Sequence, residues 1–199
     1  MNITKTDIVE KIRTAIDDIV PEAEDSFTND TDTELWQATF HAVQSLLDEL
    51  PLRLLQPKAS AASATDNDDG GSSVTLDSDF LRFVDVRLSG WKGVLTVLMD
   101  PDSDDARRQR SPWSRGSAEK PKAMLDYNSA GALTLYCWPS GSRAILNYIP
   151  KATRSNSQIT CAIRDEAERF IVFRAAAIFF EGKKETEIAE KFAALTVTE

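Results

Sequence analysis

Apolar residues in the first fifty positions recur every three or four residues, which is the spacing of a helix that buries one face. A stripe between Thr6 and Val20 predicts a first helix, and Pro21 is placed to stop it. A second stripe, from Leu35 to Leu50, predicts another helix. The N-terminal segment of the chain is therefore expected to be helical.

The pattern changes beyond Leu76, where β-branched and aromatic residues form short runs. These runs are bounded by glycine, proline, serine and aspartate, which are typical of turns between strands. The predicted strands are residues 80–88, 94–99, 132–138 and 143–149. Residues 76–157 are thus expected to form an antiparallel β insertion.

A helical pattern resumes near Ser157 and is apolar on most sides from Phe170 to Phe180, so this helix should lie centrally. A last helix is predicted from Lys184 to Leu195. The expected fold class is α+β: a four-helix bundle from N- and C-terminal helices with a central antiparallel β insertion and long loops. A single domain, residues 1–199, would contain an N-terminal helical segment, residues 1–57, and C-terminal helices in residues 158–199.

Two segments have no periodic apolar pattern. Residues 58–75 are rich in alanine, serine, aspartate and glycine, which predicts a flexible arm because little apolar surface can be buried there. The acidic run 66–69 lacks the ligand spacing of an EF-hand calcium loop. Residues 100–122 contain three prolines and predict an exposed loop.

Composition argues against small disulfide- or metal-stabilised proteins, membrane-spanning proteins and secreted proteins. With 199 residues and 42% hydrophobic residues, the chain can bury a core without disulfide or metal staples. Its apolar runs are shorter than a membrane span requires, and its N-terminus does not resemble a secretory signal. Cys137 and Cys161 lack metal-ligand spacing, so we expect them to be small buried hydrophobes.

Candidate chemistry is sparse. The one histidine, His41, falls off the apolar stripe of its helix and is expected at the surface. The sequence has no nucleophile elbow, no phosphate-binding glycine loop and no pair of histidines for a metal. We therefore expect no catalysis, no cofactor and no metal.

Charge is unevenly distributed along a chain whose net charge is −9. Residues 1–105 carry −14, residues 106–157 carry +7 and residues 158–199 carry −2. An acidic chain is unsuited to free-standing binding of duplex DNA. The basic residues of the middle segment cluster around one tryptophan, and the candidate partner contacts are Arg107, Arg108, Arg110, Trp113, Arg115, Lys120 and Lys122.

Two interpretations of this basic cluster are open. It is a solvated loop, or it is a contact loop that meets an acidic surface on a partner protein or on the N-terminal half of a neighbouring copy. Stacking of single-stranded nucleic acid is a weaker alternative, because most aromatic residues of the middle segment lie in strand patterns that favour a core.

Several short sequence segments are informative because of the order in which they occur along the chain. They are Leu35-Trp36 in the helix that ends in Leu50-Pro51-Leu52, the run 76–84, the run 86–91, the run 131–136 followed by Pro139, and the run 146–150. With the closing alanine-rich helices, this arrangement resembles the adaptor proteins of tailed bacteriophages. The resemblance is to the tail tubular or gatekeeper ring proteins of short-tailed phages, and it covers most of the chain from Asp32 to Leu195.

The resemblance implies a structural virion protein of the neck or tail, synthesised in the host cytoplasm. About a dozen copies would close a ring between the portal protein and the distal tail protein. DNA would pass through the lumen without specific binding, and no catalysis is implied. Two alternatives stay open: another phage component for tail completion or the baseplate, and a cellular non-enzymatic binding domain.

Overall fold

The amphipathic stripes of the N- and C-terminal segments fold as helices in the computed structural model of the chain, which describes residues 1–21, 29–109 and 111–196. The fold is α+β, with N- and C-terminal helices that pack together and three small antiparallel sheets. Contacts divide the chain into two compact units. The helical unit consists of residues 1–56 and 150–199, and the β unit of residues 57–149.

The described helices are α1 (Lys5–Ile19), α2 (Asn29–Glu49), α3 (Asp104–Arg108), α4 (Glu168–Gly182) and α5 (Thr186–Ala194). The described strands are β1 (Asn2–Thr4), β2 (Lys58–Ser63), β3 (Thr65–Asp66), β4 (Ser72–Thr75), β5 (Phe80–Leu88), β6 (Lys122–Tyr127), β7 (Leu133–Trp138), β8 (Arg143–Pro150), β9 (Thr153–Arg154) and β10 (Gln158–Thr160). The three sheets have the orders β1-β10-β9, β2-β8-β5 and β3-β4-β7-β6.

The core of the helical unit lies around α4, which contacts α1, α2 and α5. Ile8, Ile12 and Ile16 of α1 are fully buried, as their spacing predicts. The Phe180 ring of α4 stacks on the Phe192 ring of α5 with centroids 5.8 Å apart. The expected central position of the apolar C-terminal helix is confirmed.

The predicted start of that helix near Ser157 is wrong, because α4 begins at Glu168. The preceding segment instead supplies β10, which pairs with β1 in the register Ile3↔Ile159. Further on, the Arg164 N–H donates to the Leu54 carbonyl at 2.9 Å. The backbone groups of this segment bond to distant partners instead of forming helical hydrogen bonds, so the helix begins further along the chain.

The β unit confirms three of the predicted strands, as β5, β7 and β8. Their inward side chains form one core that includes Val86, Leu135 and Tyr148. The strand expected at 94–99 is wrong, because that segment makes only isolated bridges, at Leu95 and Met99. The sequence prediction also missed β6, which pairs with β7 along its whole length.

Residues 58–75 differ from the flexible arm that the sequence predicts, since they contain β2, β3 and β4. β2 pairs with β8 from Lys58↔Tyr148 to Ser63↔Arg143. β4 pairs with β7, and its Val74 is fully buried. Small side chains bury little surface themselves, but the ladders of β8 and β7 satisfy their backbone groups and order the segment.

Candidate functional site

The candidate site is the basic contact loop, residues 103–122, which begins with the short helix α3. Ser103 is the N-cap of α3, and its Oγ accepts a hydrogen bond of 3.2 Å from the Ala106 N–H. Asp104 lies in the first turn and Arg107 in the last, so both charges complement the helix dipole. Serine followed by two aspartates is a capping signal that the sequence prediction did not use.

A buried glutamine, Gln109, ties α3 to the C-terminal part of the loop at Gly116. It is 2% exposed. Its Nε2 donates to the Asp105 carbonyl at 2.8 Å, and its Oε1 accepts from the Gly116 N–H at 2.8 Å. Gly116 is itself packed tightly, because a Cβ there would lie 2.7 Å from the Trp138 carbonyl oxygen. The base of the loop is therefore ordered by buried contacts, although the sequence predicts an exposed segment.

Arg115 fastens the loop to the turn between β3 and β4. Its Nη1 donates to the Asp69 carbonyl at 2.7 Å, and the side chain is half-buried. Gly70 leaves room for this guanidinium, since a Cβ on Gly70 would lie 1.6 Å from Nη1. Arg115, expected as a partner contact, thus has a structural role within the β unit.

Trp113 is displayed at the tip of the loop and is 97% exposed. The turn that carries it is held from both sides. The Ser111 carbonyl accepts from the N–H groups of Ser114 and Arg115 at 3.2 and 3.1 Å, and the Ser114 Oγ donates to the Arg108 carbonyl at 2.8 Å. An exposed indole on an internally bonded turn is preorganised for contact.

The remaining predicted contact residues differ in their surroundings. Arg107 pairs with Asp104 at 3.4 Å, and the half-buried Lys122 pairs with Asp105 at 3.4 Å. The exposed side chains of Arg108 and Lys120 have no ion-pair partner in the described segments of the chain. Arg110 lies outside the described residues. The loop thus brings Arg107, Arg108, Trp113 and Lys120 to the surface.

A second polar cluster in the β unit was missed by sequence reasoning. The Tyr148 hydroxyl lies 2.8 Å from Asp77 Oδ2 and 2.6 Å from Asp79 Oδ1. Lys58 Nζ donates to Asp79 Oδ2 at 2.8 Å and lies 5.4 Å from the centroid of the Tyr148 ring. The cluster connects β2, β8 and the segment before β5, and residues so far apart in sequence carry no shared motif.

The pKa values in this cluster keep the phenol neutral. Burial, with help from the hydrogen bond to Asp79, raises the pKa of Tyr148 to about 12. Burial alone would raise the pKa of Asp79, but the hydrogen bonds from Lys58 and Tyr148 outweigh it and lower this pKa. The hydrogen bond to Asp79 raises the pKa of Lys58. At neutral pH the Tyr148 hydroxyl is a hydrogen-bond donor, which suits a structural role.

Both cysteines are buried free thiols, as predicted, and burial raises the pKa of Cys137 to about 12. His41 is exposed on α2, also as predicted. Within residues 1–21, 29–109 and 111–196, no group of three or more histidine, cysteine, aspartate or glutamate side chains is placed to hold a metal ion. Among the described helices, none combines the length and apolar character needed to cross a membrane.

A comparison with known protein families and with curated proteins found no match to this chain.

Proposed function

We propose that this chain is a non-catalytic structural protein of a virion, forming a ring between the portal and the tail with a channel for DNA. The observation that carries the proposal is Trp113, which is 97% exposed on an internally bonded loop beside exposed Arg107 and Arg108. Tryptophan and arginine are enriched among the few residues that supply most of the binding energy at protein interfaces. A loop of this kind is typical of a subunit that binds another protein.

The distribution of charge supports assembly with a partner of opposite charge. The loop is basic on a chain whose net charge is −9, so an acidic surface on another subunit would attract it. A head-to-tail contact between two different surfaces closes a ring when its rotation permits. In this proposal α1, α2, α4 and α5 form a four-helix bundle, and acidic helices facing the lumen would prevent DNA from adhering to the wall.

The proposal involves no catalytic step and no cofactor. Its partners are further copies of the chain, about a dozen in a closed ring, together with the portal protein and the distal tail protein. The protein would be made in the host cytoplasm and would reside in the neck of the particle.

The first experiment is peptide quantitation by mass spectrometry on purified virions, with the portal protein and the major capsid protein as internal references. A copy number near that of the portal supports the proposal. A markedly different ratio contradicts the neck position and favours another tail or baseplate component. Absence from the particle overturns a virion role and leaves the cellular binding domain.

A further inference from the structure

A groove of about 720 Å³ runs between α1 and α4 on the helical unit. The apolar side chains along it are Ala15, Ile19, Val172 and Phe173. Its volume is within the range of about 300–1,000 Å³ that is usual for ligand pockets. The groove can therefore take a large aromatic side chain.

The rim of the groove carries an excess of negative charge. Asp7, Glu10, Asp18 and Glu168 line it, against Lys11 and Arg169. Lys11 is already engaged, because its Nζ lies 3.0 Å from Asp7 and 2.8 Å from Glu168.

Two acidic groups of the rim remain available. Glu10 and Asp18 are exposed and have no ion-pair partner among the described residues. They lie eight positions apart on α1, or about 12 Å along the helix. A cationic occupant would find two carboxylates at the mouth of an apolar groove, against one arginine, Arg169, whose guanidinium lies 4.8 Å from the centroid of the Phe170 ring.

We propose that this groove receives the contact loop of a second copy of the chain, with Trp113 inserted between α1 and α4 and Arg107 and Arg108 beside Glu10 and Asp18. This inference rests on the proposed ring function and names the partner of the same loop. Burial of the exposed indole supplies affinity, and the charge match orients the loop.

Charge argues against two of the symmetric contacts, groove against groove and loop against loop. A two-fold contact between grooves would place the free carboxylates Glu10 and Asp18 against their own copies, and like charges repel. A contact between two loops would oppose arginines in the same way. A single contact of one loop with one groove leaves one free loop and one free groove on the growing assembly, and such an assembly closes into a ring when its rotation permits.

The test uses two full-length variants. Trp113→Ser removes the aromatic group of the loop, and the double change Glu10→Lys with Asp18→Lys reverses the charge of the groove. Each variant should self-associate at least about tenfold more weakly than the unchanged chain in sedimentation velocity at low salt. An equimolar mixture should form a 1:1 heterodimer and nothing larger, because only one intact loop and one intact groove remain.

Matched controls separate these effects from general changes of the surface. Tyr127→Ser removes another exposed aromatic residue, 68% exposed, and should leave self-association within about twofold of the unchanged chain. Glu181→Lys with Glu190→Lys makes the same charge change on exposed residues away from the groove and should also have no effect. Circular dichroism of every variant establishes that it is folded.

The outcomes keep this inference distinct from the proposed function. If the unchanged chain does not self-associate, or the mixture forms no heterodimer, the loop-in-groove contact is wrong. If the groove variant still enters virions at the copy number of the portal, the contact is wrong and the neck role stands. If the heterodimer forms but the chain is absent from virions, the contact stands and the neck role fails.

Discussion

The side-chain oxygen of Gln109 accepts a 2.8 Å hydrogen bond from the backbone N–H of Gly116, and both residues are buried. The same side chain donates to the Asp105 carbonyl. One amide therefore links α3 to Gly116, across the turn that carries Trp113.

We expect Gln109→Leu to lower the free energy of unfolding by about 1–3 kcal/mol, because it leaves the Gly116 N–H unsatisfied in a buried site. Urea denaturation measures the change, and limited proteolysis should show faster cleavage within the loop. Gln37→Leu, at an exposed position of α2, is the control and should change stability by no more than about 0.5 kcal/mol. Equal effects of both substitutions would contradict a tying role for Gln109.

Gly70→Ala should displace Arg115. Gly70 has φ +75° and lies against the Arg115 guanidinium, whereas Gly131 has φ +77° and no described atom lies within 4 Å of the place where its Cβ would be. Both alanine substitutions impose the same left-handed strain of about 1–2 kcal/mol. Only the one at Gly70 also breaks the hydrogen bond to Asp69, so it should destabilise the protein more in urea denaturation.

A double-mutant cycle isolates that difference. In an Arg115→Ala background there is no guanidinium to displace, so Gly70→Ala and Gly131→Ala should then destabilise the protein equally. A persistent excess for Gly70→Ala would show that its effect does not act through Arg115.

Tyr148 should make the stability of the protein sensitive to alkaline pH. The folded-state pKa is raised to about 12, so the folded state holds the phenolic proton more tightly than the unfolded chain, whose tyrosine pKa is about 10. The contribution is complete below about pH 10 and is lost as the pH rises to about 12. Urea denaturation across this window should show the loss, and Tyr148→Phe should remove that component of the pH dependence. An unchanged profile in the variant would rule out Tyr148 as its source.

Charge reversal of the loop should weaken assembly without changing the stability of the folded chain. Arg107→Glu with Arg108→Glu is expected to abolish ring or portal attachment in a pull-down assay. Thermal unfolding should change little, because both side chains are exposed and surface ion pairs contribute only about 0–1 kcal/mol. Arg87→Glu with Arg143→Glu, two exposed positions of the same unit, makes the matched control. Attachment that survives in the loop variant, or fails equally in the control, would contradict a specific role of the loop.

The candidate site shows where sequence reasoning reaches its limit. The cluster of arginine and lysine around Trp113 is visible in the sequence because it is local. The role of Arg115 in holding the loop to the β3–β4 turn is not visible in the sequence, since its partner Asp69 lies 46 positions away. The groove that we propose as the receptor joins α1 to α4, which are brought together only by folding.

By itself, the sequence determined the elements whose apolar spacing is regular, such as α1, because residues that share one buried face recur with the period of the helix. The tertiary structure alone decided the strands of residues 58–75 and the late start of α4 at Glu168. These segments take their conformation from backbone hydrogen bonds to distant strands, β8 for β2 and β1 for β10. A pairing between remote segments leaves no period in either one, so only the folded chain reveals it.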